Sequence, residues 1–445
     1  MDIQVSAAHL EGRLAMPSSK SELHRAIIIA LLTPRTTVIK ARGLSEDVRA
    51  TLSCAEALGA TIAEFEDSLE ITGPEIFADK ATLHVGESGS TLRFFLPLVA
   101  ALGITTSFVM EEGLAKRPHQ PLLDQLTAHG CAVSVEDNLI MVSDQLLPGD
   151  YSLPSNLSSQ YLSGLLMALP LLYGPSTIEL DGAPESYGYV NMTLDLIEQA
   201  DIVVDEEDRT FEIPGNQTYF SPSIVHIGGD WSAAAFWLVA DAIGANVHIT
   251  NLDEASYQPD SAIRYVFEHF GTRVVEHEET FAVQERLDEA IVDLSQTPDL
   301  APALAVLAAF AHGQTSFTHA ARLRLKESDR IDSICKMLTA CGVKVHEEQD
   351  GFAVYGPAKL KGGVVESYGD HRIAMAAAIL GCFSPKPVTI KGAECVHKSY
   401  PDFFAHLEQV GGQVRKDVGE ETGAQVQEAE GEAGTRGAAH DAVEG

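Results

Sequence analysis

Cations are scarce in this sequence. Against 64 Asp and Glu stand only 30 Lys and Arg in 445 residues, a formal charge of −34. A field of that sign repels nucleic acid and anionic membranes, which both demand cationic surface, so neither is an expected partner. Long apolar runs are missing too. The longest, residues 301–311, falls short of the ~20 residues that span a bilayer. The opening Met-Asp-Ile-Gln has neither the basic region nor the apolar core of a signal peptide, so no export or anchoring is indicated. Six cysteines (54, 131, 335, 341, 382, 395) form no Cys-x-x-Cys pair and have no zinc-like spacing to His. No metal site is expected, and a reduced, cytoplasmic setting fits best. The phosphate loop Gly-x-x-x-x-Gly-Lys-[Ser/Thr], the dinucleotide fingerprint Gly-x-Gly-x-x-Gly and the nucleophile elbow Gly-x-Ser-x-Gly are all absent, which argues against the common nucleotide cradles and serine hydrolases.

What the chain has is a period. Ser19-Lys20-Ser21, Gly89-Ser90-Thr91, Ser159-Gln160, Gly229-Asp230, Asp299-Leu300 and Gly369-Asp370 follow one another at 70-residue intervals, and each opens a long apolar run. A second marker, Gly-x-x-[Val/Ile], starts at Gly59, Gly130, Gly271, Gly342 and Gly411, with Ala200 standing in for the third Gly. A fixed period longer than that of a solenoid implies small α/β subdomains. Each unit reads helix, strand, helix, hairpin. First helices are expected over residues 92–102, 161–172 and 231–242, and second helices over 50–58 and 331–338. Hairpins are expected over 61–65 with 69–72, 132–136 with 139–142, and 344–348 with 352–355. Glu66-Asp67, Asp137-Asn138 and Asp350-Gly351 supply their turns.

The fold class is therefore α/β (α+β), and 445 residues exceed one ordinary core. Six units divide into a domain over residues 19–226 and a second over 1–18 plus 227–415, the chain crossing twice, near 18 and 226. Residues 416–445 hold eight acidic and two basic side chains and few large apolar ones, the composition of a disordered acidic tail.

In so acidic a chain the placement of cations is a filter. Eleven of the thirty fall in six short motifs: Lys20 and Arg25; Arg93; Lys116-Arg117; Arg322, Arg324, Lys326 and Arg330; Arg372; and Lys398. A cation in a helix's first turn opposes the helix dipole at a cost of roughly 0.3–1 kcal/mol. An anion bound among the unsatisfied N–H groups there would offset it. Asp299 and Glu327 sit among these cations as candidate acid–base groups.

In order along residues 3–414, Lys20-Ser21-x-x-x-Arg25, Gly89-Ser90, Lys116-Arg117-Pro118, Ser158-Ser159-Gln160, Lys326-Glu327-Ser328-Asp329-Arg330, Asp370-His371-Arg372 and Lys398 resemble the enolpyruvyl transferase family. The resemblance implies two domains of three βαβαββ-type units each, with helix N-termini facing the cleft between them. It implies transfer of the enolpyruvyl group of phosphoenolpyruvate to the 5-hydroxyl of shikimate 3-phosphate, a step of aromatic amino-acid and chorismate biosynthesis, with no cofactor and a monomeric chain. By the same resemblance Lys20, Ser21, Arg25, Ser158, Ser159, Gln160, Ser186, Tyr189, Asp299 and Lys326 hold shikimate 3-phosphate. Lys20, Gly89, Arg117, Gln160, Arg330, Arg372 and Lys398 hold phosphoenolpyruvate. Lys20 and Asp299 serve the hydroxyl, and Glu327 protonates the methylene carbon. Gly89 implies sensitivity to glyphosate.

Two departures from the family pattern stand out: Glu87-Ser88 precede Gly89 where the family has Asn-Ala, which sets a carboxylate near the implied phosphate pocket, and Arg322 stands where Asn is frequent, either adding a phosphate contact or pointing elsewhere. The nearest alternative is the sister enzyme that acts on UDP-N-acetylglucosamine, but residues 111–118 lack the reactive Cys usual in its cleft loop. An RNA 3′-phosphate cyclase is disfavoured by the net charge. A protein that only binds anions is disfavoured by the two acids set among the cations.

Overall fold

The structure, a computed structural model, describes residues 1–155, 158–277, 280–284 and 287–416. Of the expected acidic tail, Lys416 ends the strand Gln413–Lys416 and the rest lies outside the described residues. Among the described residues are six four-stranded sheets. Lys80–Gly86 and Thr105–Met110 show the pattern: they pair in parallel around the helix Gly89–Ala101, and Thr105–Met110 then pairs antiparallel with the hairpin Ala132–Glu136/Leu139–Ser143. A strand that feeds a helix and returns alongside itself gives the parallel pair, and a two-residue turn gives the hairpin.

Three sheets are completed by distant segments. Ile224–His226 pairs in parallel with Thr37–Lys40, closing the first half with its own last strand. Glu11–Ala15 pairs in parallel with Asn246–Thr250. Ile3–Ser6 lies between Val388–Lys391 and Gln413–Lys416, so the first residues of the chain complete the last unit. The buried apolar residues form two clusters, one drawn from residues 23–227 and the other from 3–16 and 231–410. The chain passes between them at two adjacent places. There Ser19 N–H donates to Gly228 O (2.9 Å) and Asp230 N–H to Pro17 O (2.8 Å).

The helices opening each unit are buried almost all round. In Trp231–Ala242 only Ser232 escapes burial, and Ala301–Phe310 hides all but its last residue. Helices so apolar belong at the centre of a domain. Two features draw the helices bordering the site together. Pro97 has no N–H to offer the Arg93 carbonyl. Gly164 faces that same carbonyl so closely that a Cβ there would lie 2.3 Å from it. The helix Ser159–Ala168 thus packs tightly on Gly89–Ala101. It also ends earlier than the run expected over 161–172: Pro170 turns Leu169–Leu171 into a 3-10 turn. The third expected hairpin turn shifts by one residue, because Gly351 already belongs to the strand Gly351–Gly356.

Candidate active site

The starts of the helices Lys20–Leu31, Gly89–Ala101, Ser159–Ala168, Arg330–Ala340 and His371–Cys382, with the turn Pro298–Leu300, converge on one cleft between the two halves. Ser19, Ser88 and Ser158 cap their helices by accepting from the N–H of Glu22, Thr91 and Gln160, and Asp370 accepts from Arg372 N–H. The start at Gly229-Asp230 is not in the cleft. Asp230 instead caps two helices, its own through Ala233 N–H (2.8 Å) and that of Lys20 through Lys20 N–H (3.0 Å). It ties the chain crossing together.

Eight cationic side chains line the cleft, namely Lys20, Arg25, Arg93, Arg117, Arg322, Lys326, Arg330 and Arg372, against three acidic ones, Asp47, Asp299 and Glu327. The cleft is thus cationic inside a chain of −34. Arg330, 1% exposed, spreads its fork over three carboxylates: Nε to Asp370 Oδ2 (2.8 Å), Nη1 to Asp299 Oδ1 (2.8 Å) and Nη2 to Glu327 Oε2 (2.6 Å). Asp299 also accepts from Lys326 Nζ (3.1 Å), Arg372 Nη2 (3.2 Å) and the Tyr189 hydroxyl (3.4 Å). Burial alone would raise its pKa, but Arg372, Lys326 and Arg330 hold it well below the usual carboxylate range. Glu327 likewise overcomes burial through Arg330, Arg117 (3.8 Å) and Lys398 (3.9 Å) and is held well below its ordinary value. Burial pulls Lys326 down, with Asp299 opposing.

On the other wall Lys20 Nζ donates to Asp47 Oδ2 at 2.8 Å. Asp47 is buried; despite that burial Lys20 and Lys398 keep it below the ordinary range. Arg93 donates from Nη1 to Gln160 Oε1 (2.6 Å), and Gln160 Nε2 donates to Ser90 Oγ (2.8 Å). Burial, with Arg117 alongside, lowers Arg93 to about 9. Arg25 donates to Thr193 Oγ1 (2.7 Å), Ser163 Oγ (3.1 Å) and the carbonyls of Ser21 and Tyr189, and burial lowers it to about 10. His371 is buried, and burial together with Arg372 keeps it neutral.

Of the residues singled out from sequence, Lys20, Ser21, Arg25, Gly89, Arg117, Ser158, Ser159, Gln160, Ser186, Tyr189, Asp299, Lys326, Glu327, Arg330 and Arg372 share this cleft. Lys398 stands just behind it, donating to Glu87 O (3.0 Å). Lys116 and Arg324 do not enter: they pair with Glu112, and with Asp329 and Glu347. The Glu87 carboxylate turns away from the cleft and accepts from Gly113 N–H (2.9 Å). Asp47, Ser90 and Arg93 were missed as site residues. Asp47, in Ser45-Glu46-Asp47, looks like any first-turn acid complementing a helix dipole. Its partner lies 27 residues away. Arg93 had a visible signal as a cation at a helix start.

Among the described residues no group of three or more His, Cys, Asp or Glu could hold a metal ion. No described helix is long and apolar enough to cross a membrane.

Six βαβαββ units around a cation-lined cleft define the class of the enolpyruvyl transferases. The enolpyruvyl transferase NikO of Streptomyces tendae, 16% identical, shares the fold with a TM-score of 0.74 over 93% of this chain and 98% of its own. An EPSP synthase from Acinetobacter baumannii superposes with a TM-score of 0.78 at 25% identity, covering 93% of this chain and 99% of that one. The profile of EPSP synthase (3-phosphoshikimate 1-carboxyvinyltransferase) matches residues 5–407. The 3-phosphoshikimate 1-carboxyvinyltransferase of Clostridium kluyveri is 39% identical over 417 residues, 93% of this chain and 98% of the relative. That of Methanocorpusculum labreanum is 35% identical over 94% of this chain and its own full length. The chain belongs to the EPSP synthase family.

Proposed function

We propose that this protein transfers the enolpyruvyl group of phosphoenolpyruvate to the 5-hydroxyl of shikimate 3-phosphate, releasing phosphate. The observation that carries this reading is the pair of largely enclosed carboxylates, Asp299 and Glu327, set among eight cleft cations. The two substrates bring two carboxylates and two phosphates, about −5 to −6 in total at neutral pH. The cleft's excess of cations is of the same size.

The substrates share the cleft by residue type. Arg117, Arg330, Arg372 and Lys398 offer forks and a point charge to phosphoenolpyruvate, with Gly89 leaving room beside Arg117. Ser158, Ser159, Ser186, Lys326, Arg25 and Tyr189 offer hydroxyls and cations to shikimate 3-phosphate. Lys20 and Gln160, as the family resemblance implies, serve both substrates.

The chemistry is an addition followed by an elimination. The hydroxyl oxygen bonds to C2 of phosphoenolpyruvate and yields its proton on the side of Asp299 and Lys20, while Glu327, having taken up a proton from solvent as the substrate anions bind, gives it to C3. Glu327 then takes a proton back from C3 as the C2–O bond to phosphate breaks, and the hydroxyl proton leaves on the phosphate. Until a substrate anion engages them, the surrounding cations make both acids poor bases. Substrate anions that engage Arg117, Arg330, Arg372 and Lys326 relieve that pressure and raise the basicity of Asp299 and Glu327. The site is thereby switched on by its own substrates, and closure of the halves excludes water.

Cytoplasmic location, a monomeric state and inhibition by glyphosate belong to the same reading. It is tested by a phosphate-release assay with phosphoenolpyruvate and either shikimate 3-phosphate or UDP-N-acetylglucosamine. Turnover is expected only with the former; turnover only with the latter would overturn it.

A further inference from the structure

Asp260 is a buried acid that the reaction above does not use. It sits in the short 3-10 turn Pro259–Ala262, is 1% exposed and is not among the residues lining the cleft. Its Oδ2 accepts from the Ser232 hydroxyl, in the first turn of the helix Trp231–Ala242. The same oxygen stands 4.0 Å from Arg372 Nη1, too far for a hydrogen bond but close enough for attraction. Its Oδ1 is enclosed and has no hydrogen-bond partner among the described residues. A buried carboxylate oxygen is seldom left so, because an unmet charged acceptor is costly.

Arg372 is thus shared between two carboxylates. On the cleft side it donates from Nη1 to Asp299 O and from Nη2 to Asp299 Oδ2, both at 3.2 Å. Both contacts are longer than the usual ~2.7–2.9 Å of a charge-assisted bond. Away from the cleft stands Asp260. Against burial, Asp299 and Asp260 together raise the pKa of Arg372, so its charge is kept wherever it leans. Burial, with Asp299 and Asp230 nearby, raises Asp260 to about 6, and Arg372 and Ser232 oppose the rise. Tyr189 is the other titratable group alongside. Asp260 is therefore mostly ionised at neutral pH. Of the cations that depress Asp299, Arg372 contributes most, so loosening that contact does most to restore its basicity.

We infer that Asp260 is a positioning residue acting through Arg372: as phosphoenolpyruvate draws the guanidinium off Asp299, Asp260 takes hold of it from behind, which keeps the anion anchored and frees Asp299 to accept the hydroxyl proton. The inference rests on the proposed reaction for the identity of the anion. A shift of about 1 Å turns the Asp260 contact into a charge-assisted hydrogen bond. The planar fork can serve a ligand on one edge and a carboxylate on another. Asp260 thereby offers Arg372 a second counter-ion that is not a proton acceptor in the reaction.

Steady-state kinetics and calorimetry on the wild type, Asp260→Asn, Arg372→Lys and the double variant test this. Asparagine keeps the shape and drops the charge. Asp260→Asn is expected to raise KM for phosphoenolpyruvate and lower kcat, together costing about ten- to a hundredfold in kcat/KM, the range of a hydrogen bond to a charged group. The dissociation constant of shikimate 3-phosphate should stay within about twofold, since Asp260 is not tied to that ligand. In the Arg372→Lys background the same change should cost about twofold or less, because the fork it works through is gone. Additive losses in the double variant, or equal losses for both substrates, would make the role structural and overturn the inference. So would a normal kcat/KM in Asp260→Asn. A higher KM with kcat unchanged would overturn the release of Asp299. If Asp260→Asn does not fold, Asp260→Ser, smaller and equally uncharged, is read by the same measures. A wild type that binds shikimate 3-phosphate yet releases no phosphate from phosphoenolpyruvate would instead strike the reaction itself.

Discussion

At the scale of single residues, Gly89 shows how little space the cleft leaves. A Cβ added there would lie 3.0 Å from Arg117 Nη1 and 3.3 Å from Arg93 Nη1. Gly89 begins a helix without a positive φ, so its backbone accepts alanine and only the two guanidiniums must move. Gly89→Ala is expected to raise KM for phosphoenolpyruvate several-fold and to weaken inhibition by glyphosate more, with thermal stability nearly unchanged. Steady-state inhibition curves check it; unaltered KM and inhibition would show that the arginines are not the contact.

Glu327 gives a complementary expectation. Arg330, Arg117 and Lys398 hold its carboxyl well below the ordinary range until substrate anions engage them, and glutamine keeps its shape but cannot give or take a proton. If Glu327 moves the C3 proton, Glu327→Gln lowers kcat by roughly 10²–10⁴ while KM changes little, the usual yield of a general acid–base group. Solvent-deuterium exchange into the C3 methylene should disappear with it. A variant with near-normal kcat would assign the proton elsewhere.

Sequence reasoning reached these side chains because cations are rare in this chain and therefore conspicuous. It did not reach Asp47. In a sequence with 64 acids one more carboxylate carries no signal until the fold sets it 2.8 Å from Lys20.

At the scale of elements, the helix Lys20–Leu31 joins the site to the chain crossing. Lys20 faces the cleft, and two residues on, Glu22 accepts from Ser256 Oγ (2.9 Å) in the other half of the molecule. Burial raises Glu22 to about 7, against hydrogen bonds from Ser256 and Gln258, and the carboxylates Asp230 and Asp253 add to the rise. The folded state thus holds a proton that the unfolded chain releases near the ordinary value of 4.5. Stability must then fall as pH climbs from about 4.5 to about 7, by up to about 3 kcal/mol for a shift of this size. Glu22→Gln removes that slope. The variant is expected to melt higher than the wild type at pH 8, with the gap closing towards pH 4.5. A gap independent of pH would mean that the carboxyl is not titrating.

Element starts and hairpins were legible in the sequence because they repeat. The hairpin first strands Thr61–Phe65, Ala132–Glu136 and Lys344–Glu348 fall where the marker Gly places them. The closing pairings were harder to see. Ile3–Ser6 must find Val388–Lys391 and Gln413–Lys416 across nearly the whole chain, and nothing in those short strands names the partner. The unequal fates of the six starts are also tertiary facts. Asp230 looks like any other helix cap, but its second oxygen caps Lys20–Leu31 across the crossing, which removes it from the cleft.

At the scale of the whole molecule, two electric fields oppose each other. The chain carries −34, which repels anionic substrates at a distance, while the cleft gathers eight cations against three acids. The ranges differ. At 10 mM salt the screening length is about 30 Å, and at 150 mM about 8 Å. Added salt therefore removes the long-range repulsion first. It leaves contacts of 3–4 Å in a buried cleft far less affected. An enzyme whose outer surface is cationic should lose kcat/KM for anionic substrates as salt rises. This one is expected to gain modestly, or hold level, between 10 and 150 mM KCl. It should decline only at higher salt, or with multivalent anions such as sulfate that compete for the forks of Arg117, Arg322 and Arg372. Initial rates at limiting phosphoenolpyruvate and limiting shikimate 3-phosphate, each across the KCl series, separate the two ranges. A steep fall already below 150 mM would mean that the cleft's field reaches beyond its walls and dominates capture, despite the acidic surface around it.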